Sequence, residues 1–139
     1  MTDLIKKYEG LYLQAYKCPA GVWTIGYGNT SWGNGVPVRQ GDTITQTAAE
    51  ALLNDYLIHE VDPYIMKVKI PLTTGQKEAL SSLIYNWNGK GFLGSKLFKA
   101  INAEDWAEVM RQWDFGLKNG LKGLVKRRAE ELALFMRDV

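Results

Sequence analysis

The sequence predicts an α+β fold in which a short N-terminal helix and a small antiparallel sheet lobe pack on a mainly helical C-terminal lobe, with a cleft between. Three observations predict it. Leu4, Ile5 and Tyr8 recur at helical spacing and stop at Gly10. Residues 11–38 then turn aromatic, β-branched and glycine-rich, and from Thr45 onward the apolar pattern is helical with recurrent capping signals. All 139 residues form a single domain, with the sheet-bearing lobe at about 10–44 and the helical lobe, together with the first helix, at about 45–139.

The first helix is capped by Thr2 and ended by Gly10, which frees the chain to leave in a left-handed turn. Leu11–Tyr16 and Val22–Tyr27 read as two strands joined by a Cys18-Pro19-Ala20-Gly21 turn. A third short strand is expected around Val36-Pro37-Val38, entered through Gly33-Asn34-Gly35. A long helix opens at Thr45, or at Thr47 with Glu50 three residues on, and runs to about Met66. Pro63 lies inside that pattern and should interrupt it.

Thr73 with Gln76 forms a capping box ahead of Ala79, Leu80, Leu83, Ile84 and Trp87. Gly89-Lys90-Gly91 reads as a loop before a short helix starting near Ser95. Asn102 with Asp105 is expected to open the next helix, carrying Trp106, Val109, Met110 and Trp113. A glycine-marked loop over residues 116–123 precedes the last helix, with Leu124, Arg128, Leu132 and Phe135 on one face.

Composition narrows the function. The chain is 46% hydrophobic and 23% charged, as in ordinary globular domains. One cysteine cannot close a disulfide within the chain, and one cysteine with one histidine cannot build a zinc cage. No metal or cofactor is called for. His59 reads as a surface or capping histidine. No apolar run reaches the roughly 18 residues of a membrane span, and Met1–Gly10 lacks the apolar core of a secretory signal. A protein made in the cytoplasm is expected.

The net charge of +2 hides an uneven distribution: +1 over residues 1–45, −4 over 46–66 and +5 over 67–139. A basic half could meet nucleic acid, an anionic lipid surface or an anionic polymer. No nucleic-acid-binding motif with interleaved aromatic residues appears, so no nucleic-acid partner is expected.

Glu9 is the informative carboxylate. It sits at the negative end of the first helix, where a basic residue would serve stability better by about 0.3–1 kcal/mol. Both that dipole and neighbouring aromatic rings disfavour the anion, which is what a proton donor needs. Standing alone, it would read as a tolerated surface Glu.

The spacing that follows is more specific. Glu9, eight residues, Cys18, five residues and Thr24 resemble the E-x8-(D/C)-x5-T catalytic pattern of the phage-type lysozymes, glycoside hydrolase family 24. The flanking Glu9-Gly10-Leu11, Ala15-Tyr16 and Gly21-Val22-Trp23-Thr24-Ile25-Gly26-Tyr27-Gly28 are similar too. So are Leu72-Thr73, Gln76, Ala79-Leu80, Asn86, Gly123-Leu124, Arg127-Arg128 and Glu131, so the likeness runs through nearly the whole chain.

This resemblance implies a lysozyme-like fold and a muramidase that hydrolyses the β-1,4 bond between N-acetylmuramic acid and N-acetylglucosamine in peptidoglycan. Glu9 would protonate the leaving oxygen, while Cys18 and Thr24 would position or activate water on the opposite face. Cys18 stands where many relatives have Asp; a thiol there can be a hydrogen-bond partner, a thiolate base or a nucleophile. Asn29 stands where many relatives have a paired His, and Asn cannot carry that charge.

Tyr16 and Trp23 are candidates to line a sugar site, from an aromatic set that also includes Tyr27, Trp32 and Trp87 and could equally be core. Asn29 keeps hydrogen-bonding capacity and is a candidate substrate contact, and Gln76 and Asn86 are candidate amide partners for N-acetyl groups, against the alternative of caps or core amides. Arg127 and Arg128 are candidate substrate contacts, against the alternative of a surface charge pair.

The implied biology is a monomeric endolysin that lyses the host cell. It would stay in the host cytoplasm until a separate holin releases it to the periplasm or wall, with transient contact to anionic envelope lipid through Lys118–Arg128. The competing reading is a catalytically inactive peptidoglycan-binding relative of the same fold.

Overall fold

A computed structural model describes residues 2–113 and 122–139. The chain divides into two compact units, one of Ile5–His59 and the other of Met1–Leu4 with Glu60–Val139.

Helix α1 spans Asp3–Glu9 and ends where Gly10 takes φ +72° while its N–H bonds the Lys6 carbonyl at 3.0 Å. Strands β1 (Tyr12–Lys17) and β2 (Trp23–Gly26) form an antiparallel pair. The turn between them closes through the Cys18 N–H on the Val22 carbonyl (3.0 Å) and the Gly21 N–H on the Cys18 carbonyl (2.8 Å). Gly21 sits at φ +80°, where a side chain would be strained.

The expected third strand does not form. Val36–Val38 contributes only an isolated bridge, Ser31 to Pro37, and the described sheet has two strands. Pro37 has no N–H to extend a ladder, and residues 30–42 instead fold on their own turns. Trp32 Nε1 and the Arg39 N–H both donate to Asp42 Oδ2, at 3.0 and 2.9 Å. Asp42 and Ile44 then reach back to β1 through backbone bonds with Ala15 and Leu13, each 2.9 Å.

Helix α2 (Gln46–Glu60) is capped by Thr45, whose Oγ1 accepts from the Ala48 N–H at 3.1 Å. Glu50 pairs with Lys6 (3.2 Å) and does not serve a Thr47 capping box. Ala49, Leu53 and Leu57 make the buried stripe of α2. The helix stops short of Met66: Val61 breaks it, and α3 (Asp62–Ile65) restarts with Pro63 in its first turn, where its missing N–H costs nothing.

In the second unit, α4 (Thr74–Asn86) opens on the expected capping box, with Thr73 Oγ1 accepting from the Gln76 N–H at 3.1 Å and Gln76 Oε1 from the Thr73 N–H at 3.0 Å. Gly89–Gly91 is helical, not loop: α5 (Gly89–Leu93) is capped by Asn88 Oδ1 on the Gly91 N–H at 2.6 Å. Tyr64 packs so closely over Gly89 that any Cβ there would overlap its ring, so glycine here serves close approach and not a turn.

Ser95 caps α6 (Lys96–Asn102) as expected. Asn102 ends that helix and does not open the next; its Oδ1 accepts from the Lys69 N–H at 2.7 Å. The cap of α7 (Trp106–Trp113) is Asp105 alone, accepting from the Glu108 N–H at 3.3 Å.

Helix α8 spans Lys122–Met136 and packs along α4. The expected loop at 116–123 and the basic stretch from Lys118 lie mostly outside the described residues. Val109, Trp113 and Phe135 are fully buried here, with the Trp113 and Phe135 rings 5.2 Å apart. No helix among the described residues is long and apolar enough to cross a membrane.

Candidate active site

Glu9, Tyr16, Cys18, Trp23, Thr24 and Asn29 all belong to the unit Ile5–His59. The α1 terminus sets Glu9 immediately before the left-handed Gly10, the hairpin carries Tyr16, Cys18, Trp23 and Thr24, and Asn29 follows β2. Glu9 and Cys18 are both half-buried, while Thr24 is buried.

Cys18 and Thr24 are brought together across the hairpin mouth. The Cys18 thiol is held below its usual range, first by the Val22 N–H, and further by the Ala20 N–H, the Thr24 hydroxyl and its own N–H; partial burial opposes them. Thr24 Oγ1 also lies 3.0 Å from the Val22 carbonyl oxygen. A hydroxyl has one proton, so Thr24 can donate to the thiolate or to that carbonyl, and accept in either state.

Tyr16 ties the two ends of the pattern. Burial pushes its hydroxyl above the usual phenol range, and the charges of Tyr12, Glu9 and Cys18 push it the same way. Glu9 and Cys18 are therefore both within electrostatic reach of one phenol. Trp23 lies beneath Lys17, whose Nζ is 5.6 Å from the ring centroid.

Asn29 is tied to Ile25 by two backbone bonds of 2.8 and 2.9 Å. Its side chain is buried, and Oδ1 has no hydrogen-bond partner among the described residues.

The remaining candidates belong to the other unit. Gln76 is buried and engaged in the α4 capping box. Arg127 and Arg128 are not a surface pair: their side chains are 4% and 6% exposed, and both converge on the fully buried Glu131. Arg128 Nη1 meets Glu131 Oε1 at 2.8 Å, and Arg127 Nε meets Oε2 at 3.4 Å. Ser82 Oγ donates to Oε2 at 2.5 Å and Trp113 Nε1 to Oε1 at 3.3 Å. Arg128 Nη2 continues to Asn86 Oδ1, and Arg127 reaches the Ser82 carbonyl at 3.2 Å.

The i,i+3 and i,i+4 spacing of Arg128 and Arg127 to Glu131 was a readable signal for this network. Nothing in the sequence pointed to Ser82 or Trp113, which come from other helices.

An acid-bearing helix end followed by a thiol-bearing hairpin and a helical remainder makes this a lysozyme-like protein. An endolysin from Escherichia coli O157:H7 phage FAHEc1 superposes with a TM-score of 0.84 at 30% identity, covering 99% of this chain and 90% of that one. The muramidase domain of SpmX from Asticaccaulis excentricus gives 0.82 at 32%, covering 97% and 93%. In sequence, an endolysin of Acyrthosiphon pisum secondary endosymbiont phage 1 is 42% identical over 140 residues, covering 95% of this chain and 92% of that protein. The phage lysozyme family profile matches residues 6–131, and the chain belongs to that family.

Proposed function

We infer that this chain is an endolysin: a glycosidase that hydrolyses the β-1,4 bond between N-acetylmuramic acid and N-acetylglucosamine in peptidoglycan and so lyses the host cell. The observation that supports the site assignment is that Glu9 at the end of α1 and Cys18 and Thr24 on the hairpin fall within one compact unit, with the Cys18 thiol lowered by the Val22 N–H and, less, by the Thr24 hydroxyl.

Glu9, as the neutral acid, donates its proton to the glycosidic oxygen as the bond from that oxygen to C1 breaks. A water molecule attacks C1 from the opposite face and loses a proton to the Cys18 thiolate, with the Thr24 hydroxyl orienting the water. One C–O bond forms, one breaks, and the product is inverted at C1. Glu9 ends ionised and Cys18 protonated, and exchange with solvent resets both.

Trp23 and Asn29 support substrate binding in the unit Ile5–His59; in the other unit Gln76 does so from the α4 capping box, and Asn86, Arg127 and Arg128 through the Glu131 network that orients the Asn86 amide. The enzyme acts as a monomer on the wall, reaches it from the host cytoplasm after a holin opens the membrane, and touches anionic lipid in passing.

Mass spectrometry with anomeric analysis of muropeptides released from purified sacculi tests this reading. Reducing-end muramic acid with inverted configuration is expected. A 1,6-anhydro product would make the chain a transglycosylase, and binding without release would make it an inactive relative.

A further inference from the structure

Tyr12 was not singled out by the sequence pattern, yet the hairpin is distorted around it. Tyr12 stands opposite Gly26 and Tyr16 opposite Thr24, so four steps along β1 answer only two along β2. In a regular strand, residues four apart are separated by about 13 Å. The bulge folds that distance up until the Tyr12 and Tyr16 ring centroids are 4.2 Å apart at an interplanar angle of 39°.

A bulge that re-aims side chains beside reactive groups is a built feature of a sheet, not a defect. The pair lies between the two ends of the reactive pattern: Glu9 precedes it across Gly10 and Leu11, and Cys18 follows it across Lys17. Tyr12 also closes over Gly10, where a Cβ would meet its ring at 3.4 Å. Even so, Tyr12 is 45% exposed.

We propose that Tyr12 and Tyr16 together form an aromatic platform that binds the apolar C–H face of an N-acetylhexosamine ring next to the scissile bond. Pyranose rings present axial C–H bonds on one face, and a tyrosine ring offers them a negative π surface at little entropic cost. At 4.2 Å Tyr16 backs one face of the Tyr12 ring and fixes its orientation, which leaves the outer face of the exposed Tyr12 ring for the sugar. The platform rests on the muramidase reading and adds to it the residue that holds the glycan in place. Tyr12 binds; it does not take part in bond cleavage.

The test is sacculus hydrolysis by Tyr12→Ala, Tyr12→Leu and Tyr12→Phe, with KM and kcat separated. Tyr12→Ala and Tyr12→Leu are expected to raise KM about three- to tenfold with kcat within about twofold, while Tyr12→Phe stays near wild type. An unchanged KM in Tyr12→Ala, or a Tyr12→Phe as impaired as Tyr12→Ala, overturns the platform. Co-sedimentation with sacculi in a Glu9→Gln background reads the same contact without turnover. If wild type releases no muropeptides, the muramidase reading fails; weaker co-sedimentation of the Tyr12→Ala double variant would still support the platform, and equal co-sedimentation would overturn it.

Discussion

Arg128 and Glu131 lie one turn apart on α8, Nη1 to Oε1 at 2.8 Å, with the carboxylate wholly sealed from solvent. Glu131 also receives Ser82, Trp113 and Arg127, so both of its oxygens are engaged by more than one donor. A buried ion pair of this kind adds little over a well-packed apolar substitute, but removing one partner strands the other charge.

Glu131→Gln therefore leaves two buried guanidinium groups without their counter-ion, and should cost about 3–5 kcal/mol of unfolding free energy. Ser82→Ala removes one neutral donor and should cost about 1–2 kcal/mol. Urea denaturation of both variants checks the order. A Glu131→Gln loss below that of Ser82→Ala would mean the network is wetter than its burial indicates.

The α4 capping box is tied to the C-terminus, since Thr73 Oγ1 donates to Asp138 Oδ2 at 2.7 Å while accepting from the Gln76 N–H. Thr73→Ala should cost about 1 kcal/mol, and Thr73→Ser much less. Asp138 is held below its ordinary value of 3.8, first by Thr73 and then by Arg137. A lowered folded value means that its contribution is present above the ordinary value and lost as pH falls through the folded one. The gap in melting temperature between wild type and Asp138→Asn should thus be full at neutral pH and close as the pH falls below the ordinary value of 3.8 and through the lowered folded one. A gap that stays constant with pH would show that the carboxylate charge is irrelevant to the clasp.

What the sequence disclosed follows the range of the forces involved. Local signals were reliable: Gly10 as a stop, Thr73 with Gln76 as a box, Ser95 as a cap, and Pro63 as an interruption. Where two local signals competed, packing decided. Gly89-Lys90-Gly91 carries turn residues, but Asn88 supplies a cap and Tyr64 demands a residue without a side chain, so a helix forms. The third strand shrank to one bridge with Ser31 because Pro37 has no N–H to extend a ladder, while Asp42 gathers Trp32 and Arg39 into turns. The family pattern named Glu9, Cys18 and Thr24 from spacing alone, yet the bulge that pairs Tyr12 with Tyr16 left no mark in spacing. A bulge is a property of two strands, and only the fold reveals it.

Glu9→Gln keeps the shape of the side chain and removes its transferable proton. Turbidity loss of sacculi should fall by at least about 100-fold, the usual worth of a general acid. Stability should stay within about 1 kcal/mol, because Glu9 is half-buried at a helix end where its charge opposes the dipole. Near-normal lysis by this variant would remove Glu9 as the proton donor.

Cys18 gives the sharpest pH signature. Its thiol is pulled below the ordinary value of 9.0, chiefly by the Val22 N–H, with Thr24 among the lesser contributors. If the thiolate accepts the water proton while the Glu9 carboxyl gives one, the reactive form keeps a proton on the carboxyl and none on the thiol. So kcat/KM must fall as pH rises through the weaker acid of the two, which for a thiol facing a carboxyl is ordinarily the thiol. Cys18→Asp places a carboxylate at the same point and should shift that falling limb toward acid by several pH units. Cys18→Ala should flatten the limb and lower the rate by about 100-fold. Thr24→Val should move the limb toward higher pH, since the thiolate loses a hydroxyl donor. The checking measurement is kcat/KM for muropeptide release across about pH 4–9.5 in all four proteins. A limb that persists unchanged in Cys18→Ala would assign the base to another group and leave the thiol without a part in water activation.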